Sequence, residues 1–198
     1  MTKYEQLKRM FARNGILRVS KIREAGVPTQ FVTDMLRDGS IVRLGRGVYS
    51  VTQSSATEHS DLKAICHLVP QGVICLISAL RFHGLTDENP HEISVALKHG
   101  LRTPVFAYPP VSYFSFSGEA FTHGVETHRI DGFNVKVYSI EKTIADCFKY
   151  RNKIGLDIAL AALRESVKNN KIDFNTLWDA AKVCRVSKII RPYMEAVQ

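Results

Sequence analysis

Apolar positions along the first forty residues recur at helical spacing. Tyr4, Leu7, Met10 and Phe11 share one side of a helix while Lys3, Lys8, Arg9 and Arg13 take the other. Thr2 and Glu5 fit a capping box at its start, and Asn14-Gly15 ends it. Residues 16–19 are long enough only for an edge strand. Ser20 is expected to cap a short helix stopped by Gly26, and Pro28 to open the next, which runs to Gly39 as a C′ glycine. Two helices across a three-residue, glycine-containing turn have the spacing of a helix-turn-helix. Residues 41–44 and 48–51 then read as strands around Gly45-Arg46-Gly47, a tight hairpin. Helix, short strand, helix, helix, hairpin is the order of a winged helix-turn-helix.

Beyond a polar stretch at 52–60 the pattern changes. Helices are expected at 58–68 and 77–83, strands at 92–97, 111–116, 125–130 and 133–138, and a helix at 140–150 capped by Ser139. Asp131-Gly132 supplies the strongest hairpin signal. Leu156, Leu160, Leu163 and Val167 mark another helix, and Phe174, Leu177, Ala181 and Cys184 the one after, with Asp173 as N-cap. The expected architecture is α+β: a winged helix-turn-helix at 1–52, then a domain at 58–198 with helices flanking a mainly antiparallel sheet.

Composition adds little: of 198 residues, 45% are hydrophobic and 23% charged, ordinary values for a globular chain. Charge adds more. The formal net charge of +8 divides into +6 over residues 1–50, −3 over 51–141 and +5 over 142–198. A basic N-terminal segment before an acidic middle points to a negatively charged partner met mainly by the first segment. With no apolar leader, no membrane-length span and no paired cysteine spacing among Cys66, Cys75, Cys147 and Cys184, the expected compartment is the cytoplasm, with buried free thiols.

Within residues 29–38, Phe31, Val32, Met35 and Leu36 form the apolar stripe, which leaves Thr29, Gln30, Thr33, Asp34 and Arg37 outward. Gln30 suits a bidentate pair with adenine, the two threonines a thymine methyl or a phosphate, and Arg37 the backbone or guanine. Phosphate contacts are assigned to Lys21, Arg23, Arg43 and Arg46 around that helix, since 28–38 is itself net −1. The alternative is a protein-binding winged helix with solvated charges.

No catalytic residues, metal site or cofactor fingerprint emerge. His123 and His128 lack a completing cluster, and His83 beside Gly84 suits a helix cap. Glu141, Lys142 and Asp146 could suggest a nuclease centre, but Asn134-Val135-Lys136 has an amide where the metal-binding carboxylate belongs. The bland reading puts Glu141 in a first helical turn and Asp146 in a local ion pair with Lys142 or Lys149. Lys182, Arg185 and Lys188 form either a solvated surface or a stripe for outlying DNA.

Gly26-Val27-Pro28, Leu36-Arg37-Asp38-Gly39-Ser40-Ile41-Val42-Arg43 and Arg46-Gly47-Val48-Tyr49 resemble the N-terminal domain of AbiEi-type antitoxins. Gly72 to Leu80 with His83-Gly84-Leu85-Thr86, and Val137 to Cys147, are similar to segments of that family's C-terminal domain. The resemblance implies an antitoxin of a type IV toxin–antitoxin pair. Its N-terminal domain would repress its own operon at inverted repeats in double-stranded DNA, and its C-terminal domain would counter a nucleotidyltransferase toxin without a stable complex. It also implies a binding protein rather than an enzyme, with no membrane partner. Two other readings are a regulator with a ligand- or partner-sensing C-terminal domain, and a metal-dependent nucleic-acid enzyme.

Overall fold

The computed structural model describes residues 2–52, 60–130 and 132–197, and the chain groups into two units. The first comprises residues 1–70, 104–109 and 129–134. Helix α1 (Lys3–Asn14) opens with the full capping box: the Glu5 N–H donates to Thr2 Oγ1 at 3.2 Å, and the Thr2 N–H donates to Glu5 Oε2 at 2.9 Å. Gly15, at φ 71°, turns the chain into β1 (Ile16–Arg18), followed by α2 (Val19–Glu24) and α3 (Gln30–Arg37). A hairpin of β2 (Ile41–Gly45) and β3 (Val48–Val51) follows, then α4 (Ser60–Leu68). Strand β3 lies between its neighbours in the order β1-β3-β2, antiparallel to both, with Tyr49 opposite Leu17 on one side and Arg43 on the other. Leu7, Phe11, Leu17, Ile22, Val27, Val32, Met35 and Ile41 fill the core beneath.

Two helix starts differ from the sequence reading. Ser20 is not a cap: α2 begins one residue earlier, at Val19, and the Val19 N–H donates to the Gly47 carbonyl at 2.8 Å. A backbone carbonyl from the hairpin thus takes up the first N–H of the helix, one of the orphan donors at its start. Nor is Pro28 the first helical residue. The N–H groups of Phe31 and Val32 reach back to the Pro28 and Thr29 carbonyls in tight i+3 turns, and α3 begins at Gln30. The connection therefore runs from Ala25 to Thr29, with Gly26 at φ 67°. Gly39, at φ 75° after the Asp38 cap, is the C′ glycine that the spacing predicts.

The second unit comprises residues 71–103, 110–128 and 135–198. Its elements begin with β4 (Val73–Ile74), α5 (Leu76–Phe82), β5 (Ile93–Lys98), β6 (Val111–Phe116) and α6 (Glu119–Thr122). Strands β7 (Val125–Ile130) and β8 (Phe133–Tyr138) follow, their tips belonging to the first unit. Five helices close the chain: α7 (Ile140–Lys149), α8 (Arg151–Ile154), α9 (Leu156–Lys168), α10 (Phe174–Cys184) and α11 (Ser187–Glu195). The α+β class is as expected. The sheet, ordered β6-β5-β4-β8-β7, is mixed: β4 and β5 are antiparallel, whereas β5–β6 and β4–β8 are parallel. Residues 99–110 between β5 and β6 supply the long return that a parallel pair requires. Of the hairpin dipeptide, Asp131 lies outside the described residues.

Helix α7 is the axis of this unit, buried at every residue from Lys142 to Phe148. Two of those residues are charged. Lys142 Nζ donates to Asp146 Oδ2 one turn away, and neither side chain has any exposure. The remaining surface of the ammonium faces aromatic rings, 4.1 Å from the Tyr138 centroid and 4.8 Å from that of Phe116. Cys184 Sγ donates to Asp146 Oδ1 at 3.2 Å, so both carboxylate oxygens are engaged. This is the local pair foreseen for Asp146, set in the core instead of on a surface.

Removing one partner would strand the other charge. Asp146→Ala is expected to cost about 3–5 kcal/mol in denaturant unfolding, while the double change Lys142→Met with Asp146→Leu should recover most of that loss. Equal losses from the single and double variants would show that the pair has no such coupling.

Candidate nucleic-acid interface

Helix α3 presents two faces. Val32 and Met35 are buried, Phe31 and Leu36 are half-buried against the core, and Gln30, Thr33 and Arg37 are exposed, with Thr29 and Asp34 half-buried beside them. Phe31 fixes the helix roll by meeting the Tyr4 ring edge-on at 5.8 Å. At the other end of α3, Asp38 Oδ1 accepts the Ser40 N–H at 2.8 Å, and hydrogen bonds from Ser40 hold this carboxyl below its usual range. A carboxylate at a helix C-terminus opposes the macrodipole. Here it is used to turn the chain from α3 into β2.

The hairpin tip is Arg46-Gly47. Gly47 sits at φ 68°, a conformation that favours glycine, and a Cβ there would press on Val19 Cγ1 at 3.1 Å. Its carbonyl holds the Val19 N–H, which ties the tip to the start of α2 and leaves the adjacent Arg46 exposed. Arg43, also exposed, donates from Nε to the Gly45 carbonyl at 3.2 Å and so lies along its own strand. On α2, Arg23 and Lys21 are exposed, with Lys21 paired to Glu24 at 2.7 Å. That exposed pair is readily exchanged for another anion. Among the described residues, Gln30, Thr33, Arg37 and Arg46 make no side-chain hydrogen bond or ion pair.

One base counted in the N-terminal +6 is not free. Arg18, on β1, donates from Nε at 2.8 Å and also from Nη2 to the His67 carbonyl near the end of α4. His67 donates from Nδ1 to the Lys63 carbonyl at 2.9 Å, and burial, more than the nearby Arg18 charge, lowers its pKa. No local pattern could have singled out Arg18, because its acceptor lies forty-nine positions away in sequence.

Elsewhere, the structure gives most of the weighed side chains ordinary partners. His83 caps α5 and donates from Nε2 to the Tyr138 carbonyl at 2.7 Å, with its pKa lowered chiefly by burial. His128 pairs with Glu126, and no cluster of three metal-binding side chains occurs among the described residues. Glu141 stands in the first turn of α7. Lys182 pairs with Asp179 and Arg191 with Glu195, and Arg185 is the left-handed cap of α10, so the basic C-terminal stripe is interrupted. The four cysteines form no disulfide among the described residues; Cys66 is half-buried, not buried as expected. No helix among the described residues is long and apolar enough to cross a membrane.

Residues 5–52, which hold all eight of these positions, match a family model described as a transcriptional regulator, AbiEi antitoxin. Over the whole chain, the fold is similar to the crystal structure of the RV2827C protein from Mycobacterium tuberculosis, with a TM-score of 0.62 and 13% identity. That alignment covers 100% of this chain and 81% of the other. No curated protein sequence matches.

Two outcomes follow for the first unit. Arg18→Ala, by leaving the His67 carbonyl without its charged donor, should lower stability by about 1.5–3 kcal/mol in thermal unfolding; an unchanged melt would make the contact dispensable. Because His67 is held neutral, the unfolded chain binds a proton at the ordinary 6.5 while the folded chain does not. Stability should therefore decline as pH falls below about 6.5, and His67→Gln should flatten that decline.

Proposed function

We propose that the chain is a DNA-binding repressor and the antitoxin of a type IV toxin–antitoxin pair, acting in the cytoplasm and carrying no catalytic centre of its own. In this reading the segment 1–52 grips DNA and 58–198 acts against a nucleotidyltransferase toxin without a stable complex. Helix α3 lies in the major groove. Gln30 pairs with adenine, Thr29 and Thr33 meet a thymine methyl or a phosphate, and Arg37 takes guanine or the backbone. Lys21, Arg23, Arg43 and Arg46 neutralise phosphates on either side of it.

The observation that carries this reading is the set Gln30, Thr33, Arg37 and Arg46. These side chains are exposed and, among the described residues, unspent on internal hydrogen bonds, in the segment that matches a transcriptional-regulator family. Polar groups committed to folding would be engaged inside the protein. The division between reading and gripping also follows from charge. An α3 with only Arg37 among its bases depends on the wing and α2 for phosphate affinity, so the two functions separate by residue.

Fluorescence anisotropy on a duplex from the region upstream of the chain's own gene tests the DNA half. Arg46→Ala should weaken binding uniformly across sequences and lower the salt slope by ~1, whereas Gln30→Ala should relax preference at one base position. Binding unaltered by both changes, in folded protein, would remove the docking. Co-expression with a neighbouring nucleotidyltransferase tests the antitoxin half, with restored growth expected and continued toxicity refuting it.

A further inference from the structure

The first unit contains a groove whose lining, Lys21 apart, the DNA reading does not use. Two adjoining concavities, of about 340 and 460 Å³, share Asn14 and Phe133. Their walls come from the end of α1, from β1 and α2, from the end of α4 and from Arg129, Gly132 and Phe133, all within the same unit. Together they lie in the size range of small-molecule sites, about 300–1,000 Å³.

Four of the described residues lining this groove are cations, namely Arg13, Arg18, Lys21 and Arg129, and none of those described is acidic. Arg13 and Arg129 are exposed and form no ion pair among the described residues. Lys21 is paired with Glu24, so Arg13, Arg18 and Arg129 carry the groove's positive charge, and such charge in a concave wall selects an anion because the low-dielectric walls focus its field. A bare anion would leave the rest of the groove unused. Phe133 is held by the edge of the His67 ring, with centroids 5.1 Å apart and planes at 67°, and the Lys63 ammonium lies 5.8 Å from the Phe133 centroid. Two neutral acceptors complete the lining. Asn14 donates from Nδ2 to the Met10 carbonyl at 2.8 Å, which leaves Oδ1 available. His67 commits its Nδ1–H to the Lys63 carbonyl, which leaves Nε2 as a lone pair on a ring that burial keeps neutral. Such acceptors repel phosphate oxygens and suit the amino and hydroxyl hydrogens of a base or a sugar.

We propose that this groove binds a 5′-mononucleotide, with its phosphate between Arg13 and Arg129 and its base against Phe133. An aromatic platform beside paired arginines is the combination that binds unstacked nucleotides elsewhere. Duplex DNA is the poorer fit, since its bases are stacked away from any such ring.

Isothermal titration of the full chain with AMP, GMP, CMP and UMP tests the site, with adenosine and inorganic phosphate as separate probes. At least one nucleotide should saturate with Kd on the order of 0.1 mM, and adenosine and phosphate should each bind about tenfold more weakly. The double variant Arg13→Ala with Arg129→Ala should lose about tenfold in nucleotide affinity at unchanged melting temperature. Phe133→Leu, which keeps the apolar floor without the ring, should lose affinity for the nucleotide but not for phosphate. Random-sequence duplex DNA should fail to displace the nucleotide. The proposal is overturned by absence of saturation at millimolar nucleotide, by equal affinity for phosphate and nucleotide, by variants that bind normally, or by displacement with duplex.

Discussion

Strand β3 is the element on which the placement of the wing depends. It pairs with β1 on one side and β2 on the other, and the loop just before it supplies the carbonyl that opens α2. One short segment thus closes the sheet and starts the first helix of the pair. The constraint is geometric: Gly47 takes a left-handed conformation that side chains rarely adopt, and a Cβ there would press on Val19 Cγ1 at 3.1 Å. At the far end, the Asp38–Ser40 turn delivers α3 into β2 without slack. The exposed face of α3 and Arg46 are therefore positioned by backbone contacts made within the unit, so little ordering entropy would remain to be lost on meeting a ligand.

The second unit is organised on a different principle. Its central helix carries a salt bridge where aliphatic contacts would serve, and the surrounding residues are chosen accordingly: two aromatic faces for the ammonium, and a thiol and an ammonium for the two carboxylate oxygens. Such a pair contributes little net stability over a hydrophobic replacement, and its usefulness lies in direction. An aliphatic core tolerates sliding, whereas this one has a single arrangement in which every polar atom is satisfied.

What could be read from sequence was what local chemistry decides. The Thr2–Glu5 box, the Asp173 cap, the strands at 111–116, 125–130 and 133–138, and the buried and exposed sides of α3 all depend on residues a few positions apart. What escaped was set by distant partners. Ser20 had every local reason to cap a helix, but α2 starts ahead of it at Val19, whose N–H the Gly47 carbonyl accepts. Arg18 resembled its free neighbours until α4 brought the His67 carbonyl beside it. Strand β4, only two residues long, owes its existence to pairing with β5 and β8, and no alternation can show over such a length. Pairing direction was hidden for the same reason, since a parallel neighbour is a fact about the return path.

The buried ammonium of Lys142 has a chemical corollary. Every other lysine is exposed or, like Lys63, half-buried, so a water-borne acylating reagent can reach them in the native fold. Lys142 has no surface to offer, and its nitrogen is held by a carboxylate and two rings. The chain thus carries one amine whose modification reports the opening of its largest core and nothing else.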